Sequence, residues 1–294
     1  MSDIVSRALS HPPVDTTYVA GRWHPGRASL QGVWTEARVL GASLTSPRNA
    51  TVKKFLIISR ARSGSTLLTR LLNAHPDVFC GRELLSRRVL FPRRYLNRLA
   101  HKSPDAAFGM KLLSYQMIQV QRLRDPVAFL SGLQADGFRF IHLERDTFAQ
   151  TLSLFTAQTS RVYHQRDPGA AEGEGGKWGR HDAARLKERA PVEIDVEDFI
   201  RRLEWGDLLL DYERHCLERF PRLSVSYDRD LADEADHAPV AARAFDWIGV
   251  APAPVPVASG MKKVLPPDPR DSIANYEALA TRIREAGLER LLPG

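Results

Sequence analysis

The chain has 294 residues, 43% hydrophobic and 26% charged, with 19 Gly and 19 Pro. This is the composition of an ordinary globular protein; it excludes a disordered tail, a collagen-like repeat and a disulfide-stapled mini-domain, and it supports a core that stands without metal or disulfide staples. The formal charge is +7, and 34 of the 42 basic residues are Arg, whose planar fork suits phosphate and sulfate oxygens, so an anionic ligand is the first expectation.

The opening MSDIVSRALSHPPVDTT has an acidic residue at position 3 and no apolar run of signal-peptide length, and no window approaches about 18 consecutive apolar residues. Only Cys80 and Cys216 are present, without zinc-site spacing, which suits a reducing compartment, so the expected location is cytoplasmic. Residues 1–50 show no sustained period and read as an N-terminal extension. Residues 51–294 read as one α/β domain.

The apolar run Phe55-Leu56-Ile57-Ile58 suits a buried strand, and Leu67, Leu68, Leu71 and Leu72 then recur at helical spacing until Asn73-Ala74-His75-Pro76. Ala107–Leu113 reads as another strand. Phe138, Phe140, Ile141 and Leu143 make a further one, followed by a helical stripe of Phe148, Leu152, Phe155 and Thr159. Asp167–Arg180 is Gly-rich and reads as a loop. Val196 to Cys216 outline a long helix, broken or bent near Gly206. Leu223–Tyr227 alternates as a strand, 238–248 is a helix, 251–257 a Pro-rich linker, and the last helix runs from about Ser272 to Leu292. Alternating strands and helices predict a three-layer α/β fold with a mainly parallel central sheet flanked by helices.

The chemistry concentrates in Ser59-Arg60-Ala61-Arg62-Ser63-Gly64-Ser65-Thr66, between the best strand and the best helix, where a doubly wound sheet binds ligands. Small residues let successive amides turn towards one anion, the helix N-terminus adds partial positive charge, and Arg60 and Arg62 add whole charges. The segment lacks the Lys of a Walker A loop. The bland alternative is a helix capped by Ser63 or Ser65 beside two solvated arginines. Arg145, at the end of the 138–144 strand, and Ser153, eight positions on, form a second pair able to grip a phosphate. Two such cradles suit a nucleotide with two separated phosphates if the two strands are neighbours.

With these residues in place, FLIISRARSGSTLLTRLL (55–72) and FIHLERDTFAQTLSLFTAQ (140–158) resemble the P-loop-like sulfotransferases, most closely the bacterial carbohydrate group of the trehalose and nodulation-factor enzymes. The resemblance implies 3′-phosphoadenosine-5′-phosphosulfate (PAPS) as donor, 3′-phosphoadenosine-5′-phosphate (PAP) as product, and no metal. It assigns Arg62, Ser63, Gly64, Ser65 and Thr66 to the 5′-phosphosulfate, and Arg145 and Ser153 to the 3′-phosphate. A weaker likeness at Ser226–Leu231 and Met261-Lys262-Lys263 assigns Lys262 and Lys263 to closure over the nucleotide. It also places a proton-accepting Glu at Glu83; a carboxylate among cations stays ionised and ready to accept. Cys80-Gly81-Arg82 stands where relatives often carry another acidic residue. Arg62 supplies charge stabilisation, since guanidinium stays protonated, and Lys111 faces either the sulfuryl group or the acceptor.

Each assignment has a plainer counterpart: Glu83 paired with Arg82 or Arg87, Lys111 on the surface, and Arg82, Arg87, Arg88, Arg93, Arg94 and Arg98 as a solvated helix face. That basic run otherwise suits an anionic glycan or lipid headgroup, and only Phe91 and Tyr95 are interleaved as stacking platforms for nucleic acid. His75, His142 and His164 could each serve as the base in place of Glu83. The expected partner is a small-molecule, glycan or glycolipid acceptor and not nucleic acid; peripheral membrane contact and oligomeric state stay open. The competing classes are a P-loop-type nucleotide kinase or NTP hydrolase, and a non-enzymatic binder of anionic lipid or nucleic acid.

Overall fold

Lys53–Ser59 form β1, which lies at the centre of a five-stranded, wholly parallel sheet in the order β2-β3-β1-β4-β5, with β2 at Val78–Gly81, β3 at Ala107–Leu113, β4 at Phe138–Glu144 and β5 at Arg222–Ser226. The computed structural model describes residues 2–11, 30–45, 49, 51–160, 191–251, 253 and 268–293. The chain divides into two compact units, Met1–Arg145 with Asp207–Val257, and Asp146–Gly206 with Ala258–Gly294. The sheet belongs to the first.

Every residue of β3 and Phe55–Ser59 of β1 are buried, so both faces of the sheet are covered, as an all-parallel sheet requires. Parallel neighbours also need crossover connections, and the helices supply them. The α-helices in chain order are α1 (Asp3–Ser10), α2 (Leu30–Thr45), α3 (Ser65–Asn73), α4 (Pro92–Lys102), α5 (Pro126–Ala135), α6 (Thr147–Ser160), α7 (Val196–Leu217), α8 (His237–Ile248) and α9 (Tyr276–Glu285), of which α3 to α7 lie between strands. The expected α/β architecture, a parallel sheet flanked by helices, is the one observed. Leu67, Leu68, Leu71 and Leu72 bury the inner face of α3. Each contributes about 1.5–3 kcal/mol of burial, which fixes the helix and the loop that opens it.

Hydrophobic periodicity does not announce helix α5. Its start is nonetheless written locally: Asp125 accepts from the Ala128 amide (2.8 Å) and Pro126 sits where no donor is needed. Two helices also occupy the N-terminal extension. Val5 and Ala8 of α1 are buried, and α2 packs on α4, where the buried Glu36 carboxylate accepts from the amides of Leu90 (2.7 Å) and Phe91 (2.8 Å).

In the second unit, Phe148 and Leu152 of α6, Phe199, Ile200 and Leu203 of α7, and Leu279 and Ile283 of α9 share one core. Helix α7 passes unbroken through Gly206, where the sequence suggested a break or bend. The glycine instead permits close packing, since a Cβ there would stand 3.2 Å from Gln150 Oε1 and 3.3 Å from Thr147 Cγ2. The C-terminal helix is shorter than its period suggests. Asn275 exchanges two side-chain hydrogen bonds with the Ile194 backbone just before α9, and Gly287, at φ 71°, ends it, so only 3-10 turns flank Tyr276–Glu285. The Gly-rich stretch 167–180 lies outside the described residues, as does most of the linker 251–257. No helix among the described residues is long and apolar enough to cross a membrane.

Candidate active site

The register places Ser59 level with Leu113 of β3 and Leu143 of β4, so the carboxyl ends of the three central strands lie side by side. The loop after β1 and Arg145 after β4 therefore emerge together. Arg145 Nη1 donates to the Arg62 carbonyl at 2.9 Å, and its guanidinium lies 4.2 Å from the centre of the Tyr227 ring. Arg60 donates through Nη2 to the Arg145 carbonyl, a second tie between the loops.

Within the loop, Arg62 (φ 65°) and Gly64 (φ 89°) both take left-handed conformations. Only a glycine fits at 64, because a Cβ there would run into Tyr227 Cδ2 and stand 3.0 Å from Cε2. Gly64 is the N-cap residue of α3 and no side chain caps the helix, contrary to the bland reading in which Ser63 or Ser65 does. The first-turn amides thus face an uncapped, partially positive helix end. Ser63 Oγ is fully buried and has no hydrogen-bond partner among the described residues. A buried hydroxyl without a partner costs free energy unless a ligand completes it, which suits an anion held here.

The two arginines of the loop have different roles. Arg60 is 1% exposed, contrary to the bland reading in which both arginines are solvated. It lies in the field of Glu144, whose carboxyl burial would raise; hydrogen bonds from Arg214 and the charges of His142, Arg214 and Arg60 outweigh that and hold it below the ordinary range. Arg62 is half-buried.

Lys111 is not on the surface. It lies on the fully buried β3, and Nζ stands 3.1 Å from Glu83 Oε1 while donating to Thr66 Oγ1 at 3.2 Å. Glu83 is therefore joined to the anion loop through one side chain, and not paired with Arg82 or Arg87. Its other oxygen, Oε2, accepts from Gln116 Nε2 (3.0 Å) and Tyr115 Oη (3.3 Å). Gln116 is itself buried, and its Oε1 accepts from the Leu113 amide (3.2 Å), so the end of β3 and a π-helical turn at Gln116–Val120 orient the carboxylate.

Sequence reasoning missed Tyr115, Gln116 and Tyr227 as site residues. Their available signals were a buried-type Gln within an apolar run after a strand, and an aromatic residue closing β5. Ser153 lies buried on α6, in the second unit; Lys262 and Lys263 fall outside the described residues, as does His164.

His75 and His142, which could also act as bases, are each engaged in structural contacts. His75 Nδ1 accepts from the Asp77 amide (3.0 Å), so Nε2 donates to the Ala251 carbonyl (2.8 Å). His142, buried in β4, lies between Glu213 (3.1 Å) and Glu144 (3.2 Å). Burial pushes the thiols of Cys80 and Cys216 up to about 12, so neither is a ready nucleophile. Among the described residues no group of three or more His, Cys, Asp or Glu side chains is placed to hold a metal ion.

Residues 55–126 match the model of the Sulfotransferase family, a stretch that contains the loop, Glu83, Lys111 and Gln116. No curated protein sequence matches the chain. Among solved structures it is similar to a sulfotransferase from Alicyclobacillus acidocaldarius (14% identity, 81% of this chain and 94% of that one, TM-score 0.45). It is also similar to sulfotransferase STF9 from Mycobacterium avium (13% identity, 97% and 91%, TM-score 0.47), and to mouse sulfotransferase SULT7A1 complexed with PAP (13% identity, 74% and 65%, TM-score 0.40).

Proposed function

We propose that the protein is a PAPS-dependent sulfotransferase that transfers a sulfuryl group to a hydroxyl of a carbohydrate or other small-molecule acceptor. The observation that carries the reading is the Lys111 bridge, which puts a carboxylate and a hydroxyl of the candidate anion loop each within hydrogen-bond distance of one ammonium group. The family match over 55–126 supports it, because that stretch contains every member of the bridge.

Sulfuryl transfer is an in-line displacement at sulfur. It needs positioning, stabilisation of charge on the equatorial and leaving oxygens, and a base. The loop residues Arg62, Ser63, Gly64, Ser65 and Thr66 hold the 5′-phosphosulfate through amides, hydroxyls and one fixed cation. Ser63 Oγ, buried without a partner, fits that role. Arg62 and Lys111 stabilise negative charge on the transferring group, and Arg62, always protonated, does so without giving up a proton. Glu83, oriented by Gln116 and Tyr115, takes the acceptor hydroxyl proton as the oxygen–sulfur bond forms and the sulfur–phosphate-oxygen bond breaks. The leaving phosphate is weakly basic and needs no proton donor. Arg145, braced against the Arg62 carbonyl and the Tyr227 ring, takes the 3′-phosphate. The assignments of Ser153, Lys262 and Lys263 rest on the sequence motifs alone.

A thermal-shift titration with PAP, with ATP and Mg²⁺, and without ligand tests the reading. PAP is expected to raise the melting temperature, because a ligand that binds only the native state must stabilise it. Stabilisation by ATP and Mg²⁺ but not by PAP would point to nucleotide kinase or hydrolase chemistry instead. Glu83→Gln is expected to keep PAP binding and lose about 10²–10⁴ in transfer rate.

A further inference from the structure

The basic run between β2 and β3 is not used by the proposed chemistry, and its surface has an independent character. From Leu84 to Pro104 the chain holds Arg87, Arg88, Arg93, Arg94, Arg98 and Lys102 and no acidic residue. At its centre is Arg87-Arg88-Val89-Leu90-Phe91-Pro92-Arg93-Arg94, an apolar tip between two arginine pairs. Leu90 is 56% and Phe91 57% exposed, and they are two of only four large hydrophobic side chains so exposed among the described residues. Transfer of such a pair from water to an apolar phase is favourable.

The tip is held by the rest of the unit. The amides of Leu90 and Phe91 donate to the buried Glu36 carboxylate, and Gln121, itself buried, accepts from the Val89 amide (3.2 Å) and donates to the carbonyls of Leu85 (3.0 Å) and Arg87 (2.6 Å). The backbone donors of Val89, Leu90 and Phe91 therefore stay paired when water is removed from their side chains, a requirement for entry into an apolar phase. The arginines also divide by role. Arg93 is committed to Asp136 through two hydrogen bonds of 2.6 and 2.7 Å, whereas no described carboxylate pairs with Arg87, Arg88, Arg94 or Arg98.

We propose that this surface docks the protein on an anionic lipid bilayer, with Leu90 and Phe91 entering the interface and Arg87, Arg88 and Arg94 engaging headgroup phosphates. Exposed apolar side chains flanked in sequence by arginines that no described carboxylate pairs match that boundary in both its parts. A nucleic acid fits less well: Tyr95, the second aromatic of the run, is buried, which leaves Phe91 as a lone platform. A second copy of the chain also fits less well, since the two side chains expose on the order of 200 Å² against about 800 Å² per partner in a stable interface. The inference does not depend on the proposed reaction.

Co-sedimentation of the full chain with phosphatidylcholine vesicles, and with equimolar phosphatidylcholine and phosphatidylglycerol vesicles, tests it. Binding is expected on the anionic vesicles only, weakening as salt rises. Arg87→Gln is expected to lower the partition coefficient about five-fold, with a further like factor for Arg94→Gln. Leu90→Ser with Phe91→Ser is expected to lower it by at least about ten-fold. Phe91→Cys carrying an environment-sensitive fluorophore gives a second readout, because Cys80 and Cys216 are buried and leave it the accessible thiol. Its emission should shift to the blue with anionic vesicles alone. Absence of binding to anionic vesicles would overturn the proposal, as would binding that survives all these substitutions. Binding of a single-stranded oligonucleotide, or dimerisation seen by light scattering, that is lost with these side chains while vesicles are not bound would overturn it in favour of those partners.

Discussion

Gly64→Ala separates two costs that meet at one position of the anion loop. The first is conformational: at φ 89° an alanine pays about 1–2 kcal/mol for its left-handed backbone. The second is steric, since the new Cβ drives into Tyr227 Cδ2, and the ring is also in contact with the Arg145 guanidinium, 4.2 Å from its centre. Moving the ring forfeits that cation–π contact, about 0.5–2 kcal/mol, so the expected total is about 1.5–4 kcal/mol. Equilibrium urea denaturation of wild type, Gly64→Ala, Tyr227→Ala and the double variant measures both parts. In the Tyr227→Ala background the Gly64→Ala cost should fall to the conformational part, about 1–2 kcal/mol, giving a clear coupling energy. An equal cost in both backgrounds would refute the claim that Tyr227 sets the requirement for glycine, and a total below about 0.5 kcal/mol would refute the strain argument as well.

Three further outcomes follow from the same geometry. Gln116→Leu is expected to lower kcat with little change in donor KM, because the orienting hydrogen bond on Glu83 is lost. It should also cost about 1–3 kcal/mol of stability by leaving the Leu113 amide unpaired, and unchanged steady-state kinetics would remove Gln116 from the site. Gly109→Ala places a Cβ inside contact of Phe55 Cε2 and Cζ; a loss of about 1–3 kcal/mol is expected, relieved by adding Phe55→Leu, as denaturation midpoints would show. Acid should weaken the fold. Hydrogen bonds from Arg93 lower the Asp136 carboxyl, and Arg229, the Ser226 amide and Arg243 together outweigh burial at Asp230, as Arg214 does at Glu144. A carboxyl lowered in the folded state stabilises it above its unfolded value, about 4, and that contribution disappears as pH falls through the folded value. Stability measured against pH should therefore decline below about 4, and a rise there would contradict the assignment.

Local pattern singles out Arg62–Thr66 and Arg145 as candidates, because such features are encoded nearby, whereas Glu83 is a candidate through the resemblance. An apolar run marks a strand, leucines at helical spacing mark the helix after it, and small residues between them mark a loop that an anion can approach. Long-range pairing is not written in that way. A lysine in a strand reads alike on the surface and in a site, so local pattern leaves Lys111 open; β1 and the segment after β2 decide the matter by bringing Thr66 and Glu83 to its ammonium group. Local pattern also treats Arg60 and Arg62 as equivalent, although one is buried as a brace and the other turns left-handed at the loop.

Sequence alone determined the succession of strands and helices and the residue types that can meet a phosphate or sulfate, because periodicity and turn chemistry act over a few residues. Tertiary structure decided which of those residues share a site. Strand order and register bring the ends of β1, β3 and β4 level, and burial then selects which charged side chains must find each other. Gln116 and Tyr227 enter the site only at that stage, each held by a partner more than 30 residues away in the chain.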